Sequence, residues 1–252
     1  MQMIGYNALK RELSYWGEGD SVDTFTLSIG KKLRMGFSEN RLCRGYFDGE
    51  KNHRCESQAP DVSQCPSCRE KDITHLYACA DERGYEEKFA QVKDFEYSVY
   101  LAVFGSKVKC GVTRADRIGI RTYEQGARYY AEVARVRGMK EAYGIEQYLQ
   151  KAYGFANSAS ASDKLVEKDN VSALRKGIDG IKGDSYAGSA LVANPVISHN
   201  PLQSFESAEP SDCVNGKVIC TRSSLVFFFE AGVRYMDLGR KRGYMITELA
   251  GG

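Results

Sequence analysis

Long apolar runs are missing from this sequence. None approaches the roughly 20 residues that a helix needs to cross a bilayer, and the longest, Leu225 to Phe229, has the length of a strand. The start, MQMIGYNALKREL, lacks the apolar core of a signal peptide. These two absences read as a cytoplasmic protein with no membrane partner. No repeat of fixed period is present, which excludes solenoid and propeller architectures. A strong charge bias is missing too: the formal net charge is +2 over 252 residues.

The distribution of charge is more informative than its sum. Residues 30–55 hold seven Lys and Arg against three acids, and residues 105–140 hold nine against three. Two basic windows on a nearly neutral chain fit contact with DNA or RNA. The competing reading is that charged faces simply solvate the surface.

Cysteine is abundant where it is scarce in most reducing compartments. Five of eight fall within residues 43–79, in the pattern Cys43-x11-Cys55-x9-Cys65-Pro66-Ser67-Cys68, with Cys79 further on. A C-x2-C knuckle presents two thiolates from one tight turn, and four such ligands close a tetrahedral zinc site. The expected ligands are Cys43, Cys55, Cys65 and Cys68, with Cys79, His53 or His75 as possible replacements. Buried free thiols and a redox pair are the other readings, but no strand–helix unit leads into this knuckle as it does in redox motifs. A closed four-thiolate site is structural and staples a loop with little core of its own.

Alternation of apolar and polar residues marks strands at Thr24 to Ile29, Leu33 to Phe37 and Leu42 to Phe47. Residues 1–20 give little beyond an anchor at Tyr15 and Trp16. Tyr97 to Phe104 and Lys107 to Thr113 read as a hairpin with Ser98, Tyr100 and Ala102 on one face. A helix over 115–126, closed by Gly126, carries Arg117 and Arg121, with Arg114 one turn earlier. This is a ridge of guanidiniums that can grip phosphate. Residues 129–137 read as a strand with Tyr130, Glu132, Ala134 and Val136 on one face. Residues 139–154 have helical period, with Ala142, Ile145, Leu149 and Tyr153 on one stripe. Glu146 falls inside that stripe. A carboxylate on a buried face is costly unless it is paired, here with one of the arginines, or ligates a cation. A second helix, capped by Ser162 or Asp163, runs to about Ile181, followed by a loop-rich stretch to Glu209 in which His199 has no assigned role. The last 40 residues read as four short strands, with Phe227 and Phe229 on one face and Cys213 and Cys220 as buried thiols.

Ser98-Val99-Tyr100, Lys109-Cys110-Gly111, Arg121 and Glu146 carry a resemblance. Over about residues 96–154 the chain looks like the GIY-YIG nuclease superfamily. Lys109 stands where that pattern has its second tyrosine, and Ser98 where it has glycine. The resemblance implies catalytic roles for Tyr100, Lys109, Arg121 and Glu146, with Glu146 holding magnesium or manganese while Arg121 steadies the phosphate and Tyr100 positions the nucleophile. Arg41-Leu42-Cys43-Arg44-Gly45, Tyr100-Leu101-Ala102, Lys109 to Arg114, Arg121 and Gln125-Gly126-Ala127 are similar to the marks of a mainly archaeal family of domains of unknown function.

The expected fold class is therefore α+β. Residues 1–47 supply N-terminal strands that pair with a C-terminal meander over 210–252, as a small barrel or meander. Residues 43–80 form the zinc-binding segment, 96–154 the GIY-YIG-like β-β-α-β-α module, and 155–209 a helix and long loop. The expected function is nucleic-acid binding through Arg114, Arg117, Arg121 and Lys109, with metal-dependent phosphodiester hydrolysis at Glu146 and Arg121. The alternative is a non-catalytic zinc-stabilised scaffold or protein-interaction module.

Overall fold

A computed structural model describes residues 1–75, 94–165, 170–184, 196–198 and 207–251. The chain divides into two compact units, Met1–Cys79 with Ser207–Gly252, and Ala80–Glu206. Strands β1 (Gln2–Asn7), β2 (Glu12–Trp16), β3 (Val22–Thr26), β4 (Lys32–Arg41), β5 (Tyr46–Phe47) and β6 (Asn52–His53) precede helix α1 (Pro66–Lys71). Strands β7 (Glu96–Phe104) and β8 (Lys107–Arg114) lead through a 3-10 turn to helix α2 (Ile118–Glu124). Then follow β9 (Tyr129–Arg137), α3 (Met139–Tyr153), α4 (Ala161–Leu165), α5 (Val171–Ile181) and β10 (Ile197–Ser198). The chain ends with β11 (Glu209–Pro210), β12 (Val214–Arg222), β13 (Leu225–Phe229), β14 (Val233–Asp237) and β15 (Tyr244–Gly251). Among the described residues no helix is long and apolar enough to cross a membrane.

The first unit is one nine-stranded sheet in the order β11-β14-β13-β12-β4-β15-β1-β2-β3. N-terminal and C-terminal strands do interleave: β4 lies between β12 and β15, and β15 also pairs with β1. The sheet is open, so the expected small barrel is corrected: β3 and β11 remain its edges among the described residues. One face buries Met3, Leu13, Leu33, Met35, Val218 and Phe228 in a single cluster. The strand expected over Leu33 to Phe37 runs on to Arg41 as the ten-residue β4, and of the strand expected over Leu42 to Phe47 only Tyr46–Phe47 forms. Residues 1–20, which show no clear pattern, form β1 and β2, with Trp16 buried as their anchor. Cys213 is exposed rather than buried, because it precedes β12 and belongs to neither face.

In the second unit β7 is the sheet's inner strand, flanked by β8 and β9. Tyr97, Val99, Leu101 and Val103 pack against Ala142, Ile145 and Leu149 of α3 and Leu174 of α5. Tyr100, Ala102 and Phe104 pack the opposite face with Ala127 and Tyr130. The order strand, strand, helix, strand, helix is the one read from the sequence. The long helix expected after Ser162 is two: α4 and α5, with residues 166–169 outside the described ones. Its start is capped by Ser160, whose backbone N–H reaches Asp163 Oδ2 at 2.7 Å while its Oγ accepts from Asp163 N–H at 3.2 Å, a reciprocal capping pair. Asn170 caps α5 through its Oδ1, which accepts from Ala173 N–H at 3.0 Å. The expected short helix near residue 86, Cys79 and His199 lie outside the described residues.

A fully buried residue on an inner strand tests this packing. Replacing Leu101, which is 0% exposed, with alanine is expected to cost about 2–5 kcal/mol. Urea unfolding followed by circular dichroism reads the loss; an unchanged midpoint would contradict the two-sided core.

Candidate functional site

The second unit concentrates its buried polar groups around β7 and β8. Tyr100 lies directly opposite Gly111 on β8, and Ala102 opposite Lys109. A Cβ on Gly111 would sit 2.6 Å from Tyr100 Oη and 2.8 Å from Lys109 Nζ. Only glycine therefore lets the phenol and the lysine tip meet over β8. The phenol donates to Gln125 Oε1 at 3.0 Å, and Lys109 Nζ lies 5.4 Å from the centre of the Tyr100 ring. Lys109 Nζ otherwise donates to its neighbour's carbonyl at Cys110, at 3.4 Å.

Glu146 comes to this cluster from α3. It is 8% exposed, and among the described residues neither a hydrogen bond nor an ion pair engages its carboxylate. Burial raises its pKa above the ordinary carboxylate value, and the charge of Lys109 partly offsets this. Burial pulls Lys109 down in turn, opposed by the charge of Glu146. Burial pushes Tyr100 up to about 12, countered by the charge of Arg121 and the bond to Gln125. Cys110 is also raised, first by burial and then by Glu146. These mutual effects bring Tyr100, Lys109, Arg121 and Glu146 into one electrostatic neighbourhood.

The arginine ridge is different from the sequence expectation. Arg114 ends β8, and residues 115–117 form a 3-10 turn, so the helix expected from residue 115 begins only at Ile118 and Arg117 precedes it. Its guanidinium forks onto Asp116 at 3.1 and 2.7 Å and stacks 4.4 Å from the Phe95 ring centre. Arg117 and Arg121 share Glu124, at 3.5 and 3.8 Å. Both remain about half exposed, so the carboxylate only partly occupies them. The pairing of Glu146 with an arginine does not occur among the described residues.

Sequence reasoning missed a second buried carboxylate. Glu132 accepts from the Ser98 hydroxyl and from Arg135, whose Nε and Nη2 lie 2.8 and 2.9 Å away. A bulge makes this possible. Val99 faces Ala134 while Tyr100 faces Glu132, leaving Val133 as the extra residue. Glu132 and Arg135 thereby share the Tyr100 side of the sheet, and the regular alternation expected for this strand fails. The signal available was an acid inside an apolar strand; nothing local marks the bulge.

In the first unit, ligand atoms of Cys43, Cys55, Cys65 and Cys68 all lie within 4.8 Å of one another, so they could hold a metal ion. Cys55 Sγ and Cys65 Sγ are 3.9 Å apart, far beyond a disulfide. Four thiolates ~2.3 Å from a tetrahedral centre stand about 3.8 Å apart. Cys43 Sγ accepts N–H bonds from Gly45 at 3.4 Å and Cys65 at 3.2 Å. Gly45 holds φ +82° and a Cβ there would run into the His53 carbonyl, so glycine is required two residues after the first cysteine. Pro66 starts α1 straight after Cys65, which places Cys68 in its first turn. Buried Asp72 ends that helix and accepts from Arg44 at 3.0 Å, from Thr74 N–H and Oγ1 at 2.9 and 2.6 Å, and from Gln64. His53 instead bonds Asp48 at 2.6 Å and stacks on Tyr46.

A family model described as "Protein of unknown function (DUF2797)" matches residues 30–182. No curated protein and no solved structure matches the chain.

The raised pKa of Glu146 has a direct consequence for stability. A carboxylate whose folded pKa is raised costs nothing below the unfolded value near pH ~4, and its penalty grows as pH rises above that. Glu146→Gln is expected to melt with the wild type at pH 4 and above it at pH 7. Thermal melts at both values check it; a less stable variant at pH 7 would mean the carboxylate has a bonding partner.

Proposed function

The chain belongs to this family, and we propose that its second unit is a GIY-YIG-like module that binds the backbone of DNA or RNA and hydrolyses a phosphodiester. The observation that carries this reading is the unpaired, buried Glu146 in one neighbourhood with Lys109, Arg121 and Tyr100. Structural ion pairs join acid to base at short range; Glu146 is left available instead. A lone carboxylate in a water-poor setting, with its oxygens uncommitted, fits a hard divalent cation such as magnesium or manganese. When bound, that cation would supply Lewis-acid charge to the phosphate.

The remaining chemistry belongs to the chain. Arg121 is half exposed and offers its planar fork to phosphate oxygens. Lys109 adds a second cation fixed by burial beside Tyr100. Tyr100, at about 12, stays a phenol at neutral pH, its one O–H donating to Gln125 Oε1. It is therefore not a base in its resting state, and its oxygen is left to accept a hydrogen bond from the nucleophile. Lys109 in place of a second phenol favours a second reading, in which the same site holds nucleic acid without cutting it.

Mixed DNA and RNA substrates with magnesium or manganese separate the two. Glu146→Gln is expected to abolish cleavage, and Arg121→Ala to lower it about 10²–10³-fold, the loss seen when one charge-stabilising donor is removed. Wild-type cleavage by Glu146→Gln would sink the hydrolytic reading. Salt-dependent binding without any cleavage would select the second one.

We also read the four-cysteine cluster as a structural zinc site, since four thiolates leave no open position for chemistry. Metal analysis after reducing, chelator-free purification should give about one zinc equivalent, with Cys68→Ser losing it and unfolding residues 43–75 to proteolysis. Less than half an equivalent in the wild type would rule the site out.

A further inference from the structure

The outer face of the nine-stranded sheet carries a row of groups that its own packing does not use. Lys217 on β12 lies directly opposite Phe229 on β13 and opposite Lys32 on β4. Arg34, two residues along β4, lies opposite Asn215. All five side chains are exposed, while Leu33, Met35, Val214, Val218 and Phe228, which alternate with them, are buried in the core below. The register therefore fixes them on one surface, across three adjacent inner strands. An open groove of about 740 Å³ crosses it.

Two features of this row are unfavourable for the protein alone. Like charges directly opposite on neighbouring strands destabilise a sheet, yet Lys32 and Lys217 face each other, and among the described residues neither has an ion pair. Phe229 is 51% exposed, whereas Phe227, two residues back along the strand, is 1% exposed. The surface covering β13 thus stops short of one aromatic ring, beside two unneutralised ammonium groups. Among the described residues the counter-charges lie at the margins: Glu248 reaches Arg34 at 3.6 Å, and Glu230 is engaged by Asn215 at 2.9 Å and by Arg234 at 3.6 Å.

We propose that this sheet face binds single-stranded nucleic acid, with Phe229 stacking an unpaired base and Lys217, Lys32 and Arg34 holding the phosphates that follow it. A flat ring flanked by cations on an open sheet suits a strand whose bases are turned outward. A duplex hides its base faces and cannot use Phe229. An acidic peptide could use the lysines, but its acids do not by themselves stack on the ring, as every unpaired base can. Nothing from residues 96–154 enters this argument, so it stands apart from the hydrolytic site.

The test is fluorescence anisotropy of labelled twelve-residue oligo-dT and oligo-rU on the full chain, against a duplex of equal length. Phe229→Ala should weaken single-strand binding about tenfold, as expected when one stacked base is given up, and leave duplex binding unchanged. Lys32→Ser with Lys217→Ser should reduce the slope of log affinity against log salt by about 1.4, two phosphates at the single-strand value. Unchanged Trp16 fluorescence confirms that the sheet is folded in each variant. The proposal is overturned if the sheet variants bind normally while Arg117→Ala with Arg121→Ala does not, which places all binding on the other unit. It is equally overturned if poly-glutamate displaces the oligonucleotide at equal charge, or if neither single strand binds at low salt.

Discussion

Strand β7 is buried on both faces, and the rest of the second unit follows from that constraint. One face must be apolar to meet α3 and α5, and is. The other face carries Ser98 and Tyr100, both fully buried. Each buried polar group then needs a partner from a neighbouring element. Ser98 finds Glu132, which the bulge in β9 turns toward it, and Arg135 completes that pair. Tyr100 finds Gln125 just past α2. The ring of Tyr100 can lie over β8 only because residue 111 has no side chain. Gly111 is thus a packing requirement of the phenol, and Gln125 its hydrogen-bond requirement. Both stand in short stretches, 109–114 and 125–127, within the part of the chain matched by the family model.

The first unit meets its own constraint at the exit of β4. Arg41 closes the strand, with Nε donating to the Arg242 carbonyl at 2.8 Å and its guanidinium over Tyr244. Two residues later Cys43 is fully buried, its carbonyl accepting from Gln2 at 2.9 Å. Gly45 then makes the tight passage beside His53. The R-x-C-x-G spacing is therefore strand end, thiolate, turn. The loop that follows buries little besides Cys43, Ala59 and Cys68. Such a core cannot offset the ordering of some thirty residues by apolar burial alone. The Asp72 clamp and the four converging sulfurs supply what the core does not.

Legibility in the sequence tracked how far each feature depends on local pattern. The C-terminal strands were legible because apolar alternation and turn residues agree there: four short strands were expected, and β12, β13, β14 and β15 form. Helix α3 and the buried position of Glu146 were legible from period alone. The cysteine set was legible from the knuckle. Strands β1 and β2 were not, because polar Asn7 and Glu12 and short lengths blur their alternation, and pairing with distant β15 stabilises them. The Val133 bulge was illegible because the contact that it permits, Ser98 to Glu132, joins residues on two different strands. The arginine ridge misled because a period of three to four suits a helix, whereas Arg114 belongs to a strand and bonds forward to Asp116.

Lys109 and Glu146 decide what the site can do. Each is buried, each is pushed toward its neutral form by burial, and each is held toward its charged form by the other. Among the described residues no hydrogen bond or ion pair joins the two, so neither side chain is consumed by the other. On the proposed reading, a phosphate beside Arg121 would favour charged Lys109 and disfavour charged Glu146. Glu146 would then be the residue to hold a divalent cation, whose charge would offset the carboxylate and the phosphate. A site with arginines alone would take up phosphate and stop there. Under that reading the uncommitted Glu146 is what would make the module more than a basic surface.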